Sequence, residues 1–236
     1  MTCFGMVALG ACATTPTAGS EPNPIVSLTL VAGHASHFAF VTRGARPDST
    51  IPAYLDPIVI PPHLVALRIV DPSGAVHAVV PDVVAGRYRA ELSVVPGGRY
   101  RLEGTIAGRS VSAMTEIPGE FELLQPTQDT IRLTKTGPSP VVSATIPLQF
   151  RGEGVAFVAG RGAGVQGGAV LGAGLTLGGD GLVLTVFGPG VYTLELYAYN
   201  RDAYDWLVRK NPRGNMSGAF GGFTGAILRT RTVIAQ

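Results

Sequence analysis

The stretch Gly86–Ile106, GRYRAELSVVPGGRYRLEGTI, decides how the rest of the chain is read. Tyr88, Ala90, Leu92 and Val94 alternate with Arg87, Arg89, Glu91 and Ser93. The pattern then returns, with Tyr100, Leu102 and Ile106 set against Arg99, Arg101 and Glu103. Successive side chains of a strand point to opposite faces, so this spacing predicts two strands, each with one buried and one wet face. Between them lies Val94-Val95-Pro96-Gly97-Gly98-Arg99-Tyr100, which predicts either a plain hairpin or a passage from one sheet to another.

The apolar-x-Pro-Gly-x-x-Tyr spacing resembles the connection between strands E and F of fibronectin-III-like sandwiches. That resemblance implies a crossover between sheets, with the Tyr100 hydroxyl bonded to backbone a few residues upstream. Outward from this point the punctuation is that of a β-protein. Strand signals stand at Ile25–Gly33 and His37–Gly44, and a proline-rich loop runs from Arg46 to Pro62. Asp71-Pro72-Ser73-Gly74 separates two apolar runs as a turn, with proline presetting φ and aspartate able to bond its own backbone. Ala107–Pro118 supplies a last strand, which closes a first domain near Pro118.

Beyond Pro118, strands are expected at Thr130–Thr134, Val141–Phe150, Val155–Ala159, Ala169–Leu177, Leu182–Phe187, Val191–Tyr199 and Ala226–Ile234. The segment NRDAYDWLVRKNP breaks the β pattern. Asp202 is placed to cap a helix there, with Arg209 and Lys210 near its end and Asn211-Pro212 to stop it. The expected fold is all-β. An Ig- or fibronectin-III-like β-sandwich covers residues 25–118, and a second β-rich, sandwich-like domain covers 119–236 with one short helix near 202–210.

Composition agrees with many short strands and turns. The 236 residues include 32 glycines and 18 prolines, and only 14% are charged. A formal net charge of +2 gives no strong attraction to nucleic acid. The two cysteines, Cys3 and Cys12, both lie near the N-terminus, so the remainder can form neither an internal disulfide nor a cysteine-ligated metal site. Leu9-Gly10-Ala11-Cys12 resembles the lipobox of bacterial lipoproteins, in which the cysteine becomes the acylated N-terminus. On that reading residues 1–11 are a signal segment, shortened if the true start lies upstream, and Cys12 is the lipidation site. Residues 12–24 are then a flexible Thr/Pro/Ser/Gly tether. The same resemblance to lipoproteins implies that Ala13 after the cysteine, in place of an aspartate, favours sorting to the outer membrane.

Four features in order make the chain similar to the lipoprotein family catalogued as domain of unknown function 4249. They are the lipobox at Cys12, the segment PGGRYRLEGTIAGRSVSAMTEIP, the strand-to-helix unit GVYTLELYAYNRDAYDWL, and the tail NP…GGFTGAILRTRTV. The resemblance implies an envelope lipoprotein, of a family often found beside TonB-dependent outer-membrane transporters, and it implies no catalytic residue.

Gly162, Gly164 and Gly167 spell G-x-G-x-x-G, yet the fingerprint needs a helix directly after it, and the glycine-rich GAVLGAGLTLGGDG opposes one. Gly162 and Gly164 are therefore expected in a loop, with no nucleotide bound. His34 and His37, three apart, face opposite sides if on a strand, so no metal site is assigned. Trp206 is expected to pin the helix to a sheet rather than to stack on a sugar. No catalytic residue, cofactor or metal is assigned. The leading expectation is a non-catalytic envelope lipoprotein, a binding or accessory component of a TonB-dependent uptake system. The alternative is a carbohydrate- or surface-binding module, which needs an exposed aromatic platform. An enzyme would need a pocket of paired polar groups that the sequence does not advertise.

Overall fold

A computed structural model describes residues 23–44, 59–134, 142–147, 149–152, 157–164, 171–173, 181–186, 190–207 and 214–236. Among the described residues the chain is all-β, with one short α-helix and one 3-10 turn at Pro62–Leu64. Seven strands form the first half: β1 (Pro24–Ala32), β2 (Ser36–Arg43), β3 (Val65–Val70), β4 (Val76–Pro81), β5 (Arg87–Glu91), β6 (Arg99–Ile106) and β7 (Arg109–Glu116). One layer is β1–β2–β5 and the other is β3–β6–β7. Strand β4 begins beside β3, with Val76 opposite Val70, and ends beside β5, with Pro81 opposite Tyr88, so it bridges the two layers at one edge. This is an Ig-like sandwich of the fibronectin-III kind.

The alternation in Gly86–Ile106 is what closes it. Tyr88 and Tyr100 are each 1% exposed, yet β5 pairs with β2 and β4 while β6 pairs with β3 and β7. The chain therefore crosses between layers at Val94–Tyr100, and the plain hairpin is excluded. The Val95 amide donates to the Tyr100 hydroxyl at 2.9 Å, the upstream backbone bond that the resemblance to an E-to-F connection implies. Into the same interior point Val26, Leu28 and Leu30 of β1, Ile69 of β3 and Leu102 and Ile106 of β6. Each large aliphatic so buried contributes about 1.5–3 kcal/mol.

Further along lie β8 (Glu122–Gln125), β9 (Thr130–Leu133), β10 (Val142–Pro147), β11 (Gln149–Arg151), β12 (Phe157–Gly164), β13 (Leu171–Ala173), β14 (Gly181–Val186), β15 (Gly190–Tyr199), α1 (Arg201–Leu207), β16 (Met216–Ser217) and β17 (Phe220–Ala235). Strands β8 and β11 pair, and β10–β14–β13 form a small sheet. The sixteen-residue β17 joins the two halves of the chain. Its first half runs parallel to β1, from Phe220 opposite Ile25 to Ile227 opposite Ala32. Its second half pairs with β15 and, in parallel, with β9. Strand β16 pairs with β7, so β16 and β17 reach back across the boundary placed at Pro118.

Two expectations are corrected here. The final strand starts at Phe220, not Ala226, because glycine serves close approach instead of breaking the strand. Gly221 has φ +111°, and a Cβ there would collide with the Val26 carbonyl oxygen. The helix cap is Asn200 and not Asp202. Asn200 Oδ1 accepts from the Ala203 amide at 3.2 Å, while Nδ2 donates to Thr115 Oγ1 at 2.7 Å and to the Glu116 carbonyl at 2.9 Å. Tertiary bonds to β7 thus fix the turn one residue before the helix, and Asp202 falls within its first turn. Arg209, Lys210, Asn211 and Pro212 lie outside the described residues.

Candidate functional site

The large sheet presents an outward face running in the order β15–β17–β1–β2–β5. On β2 the inward positions are Ala39 and Val41, so Phe38 and Phe40 point out, 41% and 52% exposed. Phe40 sits opposite Ser27 of β1, and Arg87 of β5 lays its guanidinium over the Phe38 ring, 4.9 Å from the centroid. On β15, Leu194, Leu196 and Ala198 are buried, which sends Glu195, Tyr197 and Tyr199 to the opposite face. The two tyrosine rings are 5.9 Å apart and inclined by 32°. The Tyr197 hydroxyl donates to Glu195 Oε2 at 2.8 Å.

These two banks of aromatic rings are separated by β17 and β1, three strand spacings or about 14 Å. Between them Ser27, Thr29 and Val31 contribute to a groove of about 700 Å3 that also takes in His34, Ser36 and Arg87. The Thr29 and Thr224 hydroxyls lie 2.9 Å apart across the β1–β17 pair. Around the rim the charges are matched. Arg87 Nε donates to Asp82 at 2.6 Å, and Arg89 meets Glu91 at 3.0 Å. Ser36 Oγ also donates to Glu91, at 3.2 Å. The arrangement can hold a ligand by ring faces and hydroxyls, with no net charge set against it by these pairs.

His37 lies at one end of the groove and is committed to structure. Its Nδ1 accepts from the Val31 amide at 3.3 Å, so the proton sits on Nε2, which donates to the Leu92 carbonyl at 3.2 Å. Burial lowers its pKa from the usual histidine value of 6.5, because the charged form would lose both water and the Val31 bond. Both ring nitrogens are therefore in use, which leaves neither for a metal. Among the described residues no group of three or more His, Cys, Asp or Glu is placed to hold a metal ion.

Gly162 and Gly164 are not in a loop: they lie in β12, opposite Leu194 and Tyr192 of β15. A ladder engages amides laterally, one strand to the next, and does not aim successive N–H groups at one phosphate. Gly167 lies outside the described residues, and so does Cys12. Trp206 does pin the helix, since a Cβ on Gly222 of β17 would come within 2.7 Å of the indole Cε3. Phe38, Phe40, Tyr197 and Tyr199 are the site residues that the sequence reading did not single out. Their signal was the F-x-F of HFAFV and the Y-x-Y of ELYAYN, pairs spaced to share a strand face.

Fold and groove together define an Ig-like β-sandwich with an aromatic-lined outer face. No family model and no curated protein matches the chain. Among solved structures it is similar to the I-band fragment I67–I69 from titin, at 12% identity over 91% of this chain, with a TM-score of 0.25. It is similar also to titin domains Z1Z2 in complex with telethonin, at 13% identity over 92% of this chain and 98% of that one, with a TM-score of 0.26. The chain spans 65% of the length of the I67–I69 fragment.

Proposed function

We propose that this chain is a non-catalytic binding module, held at the outer membrane by lipid on Cys12 and serving as an accessory component beside a TonB-dependent transporter. One observation carries the binding part: four aromatic rings stand on two outward strand faces, either side of a floor that includes hydroxyls. Two exposed phenylalanine rings facing two half-buried tyrosine rings in this way favour a surface that another molecule covers. The carboxylates at its border are engaged, Glu195 by the Tyr197 hydroxyl and Glu91 by Arg89 and Ser36, an arrangement suited to holding a ligand rather than moving protons. The anchoring part rests on Leu9-Gly10-Ala11-Cys12 and the tether after it, and on the resemblance to the lipoprotein family of domain 4249.

The full chain with Cys12→Ser tests both parts. It is expected to leave the detergent phase that the native chain enters, since stable anchoring needs more than one acyl chain. In that unanchored form it is expected to sediment with isolated outer-membrane envelopes, and the added pair Phe38→Ala/Phe40→Ala to abolish sedimentation. Equal detergent partitioning of Cys12→Ser would refute the anchor, and equal sedimentation with and without the phenylalanines would refute the binding face.

A further inference from the structure

We infer that the ligand of this groove is a neutral, extended oligosaccharide, an inference that rests on the binding-module reading and names its ligand class. The reason is the combination of three properties on one sheet face. First, the rings come in two banks, Phe38/Phe40 on β2 and Tyr197/Tyr199 on β15, with two strands between them. A gap of about 14 Å, three strand spacings, is too wide for one sugar ring to touch both banks. A chain of sugars lying across the strands reaches both, with its apolar C–H faces on the rings.

Second, the floor offers hydroxyls. Ser27 and Thr29 line the groove, and a hydroxyl both donates and accepts, which matches the two-way demand of sugar hydroxyls. Arg87, Glu195 and the Tyr197 hydroxyl add directional partners at the banks. The long side chains among them are already fixed. Arg87 is held by Asp82 and lies on Phe38, and Glu195 is held by Tyr197. Binding therefore immobilises few free rotors, which lowers its entropic cost.

Third, the charge pattern selects against polyanions. The two arginines on the β5 side are each matched to a carboxylate, Arg87 to Asp82 and Arg89 to Glu91. Glu195 brings a negative charge to the opposite bank. A phosphorylated or carboxylated polymer would meet compensated cations on one side and repulsion on the other, whereas a neutral glycan meets neither.

The experiment is calorimetric titration of the full chain carrying Cys12→Ser with maltohexaose, cellohexaose, xylohexaose and mannohexaose, and with polygalacturonate as the anionic probe. At least one neutral hexasaccharide is expected to bind. Its affinity should change less than about twofold between about 0.05 and 0.5 M salt, because no counterions are released. Phe38→Ala/Phe40→Ala and Tyr197→Ala are each expected to weaken it about tenfold, that is by about 1.4 kcal/mol. Phe40→Trp keeps a ring at the position and should bind at least as well as the parent, which separates ring stacking from misfolding. No binding by any neutral member, or binding by polygalacturonate alone with steep salt dependence, would overturn the inference. If envelopes still retain the chain through Phe38 and Phe40 in that case, only the ligand class is wrong. If that retention is absent as well, the binding-module reading falls with it.

Discussion

Tyr88 and Tyr100 offer a test in which two similar substitutions change stability in opposite directions. Both side chains are 1% exposed and face the same sandwich interior. Tyr100 accepts the Val95 amide at 2.9 Å, whereas the Tyr88 hydroxyl is buried without a hydrogen-bond partner among the described residues. Tyr100→Phe keeps the ring, opens no large cavity and leaves the Val95 N–H without its acceptor. The expected loss is about 1 kcal/mol. Tyr88→Phe removes an oxygen that was stripped of water with nothing in return, so the expected gain is about 1 kcal/mol. The two variants should differ by about 2 kcal/mol, or roughly 6 °C in melting midpoint for a chain of this size. Urea unfolding measures it, with the slope unchanged so that the shift reports stability alone. Equal losses in the two variants would refute the assignment of the corner bond as the difference between them.

Two further outcomes follow from particular residues. His37 is held neutral in the fold with its pKa below the ordinary 6.5, so below 6.5 the unfolded chain binds a proton that the folded chain refuses. The His37 contribution to stability should be flat above 6.5 and fall as pH drops below 6.5 toward the folded pKa. His37→Gln should remove that slope in pH-dependent urea titrations, and an unchanged slope would assign it elsewhere. Gly221→Ala places a Cβ against the Val26 carbonyl at φ +111° and should cost at least about 2 kcal/mol. Gly74→Ala, at φ +88° with open space around it, should cost only about 1 kcal/mol in the same assay. Equal costs would mean that the close approach of β17 to β1 contributes nothing.

The first sandwich was legible because its residues speak locally. Alternation in Gly86–Ile106 names the faces, whereas the crossover and the Tyr100 bond were implied only by the resemblance of Val94–Tyr100 to an E-to-F connection, and the residues alone left a plain hairpin open until the strand pairings decided it. The C-terminal strand was half legible. PRGNMSGAFGGFTG reads as loop when each glycine is judged by its own propensity. Its extended course from Phe220 is decided by the backbone of β1, almost two hundred positions earlier in the chain. Asn200 was missed for a related reason. Asn200, Asp202 and Asp205 can all cap a helix, and only the contacts with Thr115 and Glu116 select among them. The groove was the least visible part. Phe38 and Phe40 alternate with Ala39 and Val41, apolar on both faces, so the sequence does not say which face is wet. Nor does it say that Tyr197 lies on the same sheet face as Phe38, since that requires β17 to sit between β15 and β1.

The parallel pairing of β1 and β17 also decides how the molecule answers tension. A pull applied at Pro24 and Ala235 drags β1 toward its beginning and β17 toward its end. Parallel neighbours pulled in those senses slide past one another along their length. The rungs between Ile25–Phe220 and Ala32–Ile227 then share the load together, where an antiparallel hairpin pulled from its open end would unzip one rung at a time. A load entering the chain at Pro24 would meet this clamp first.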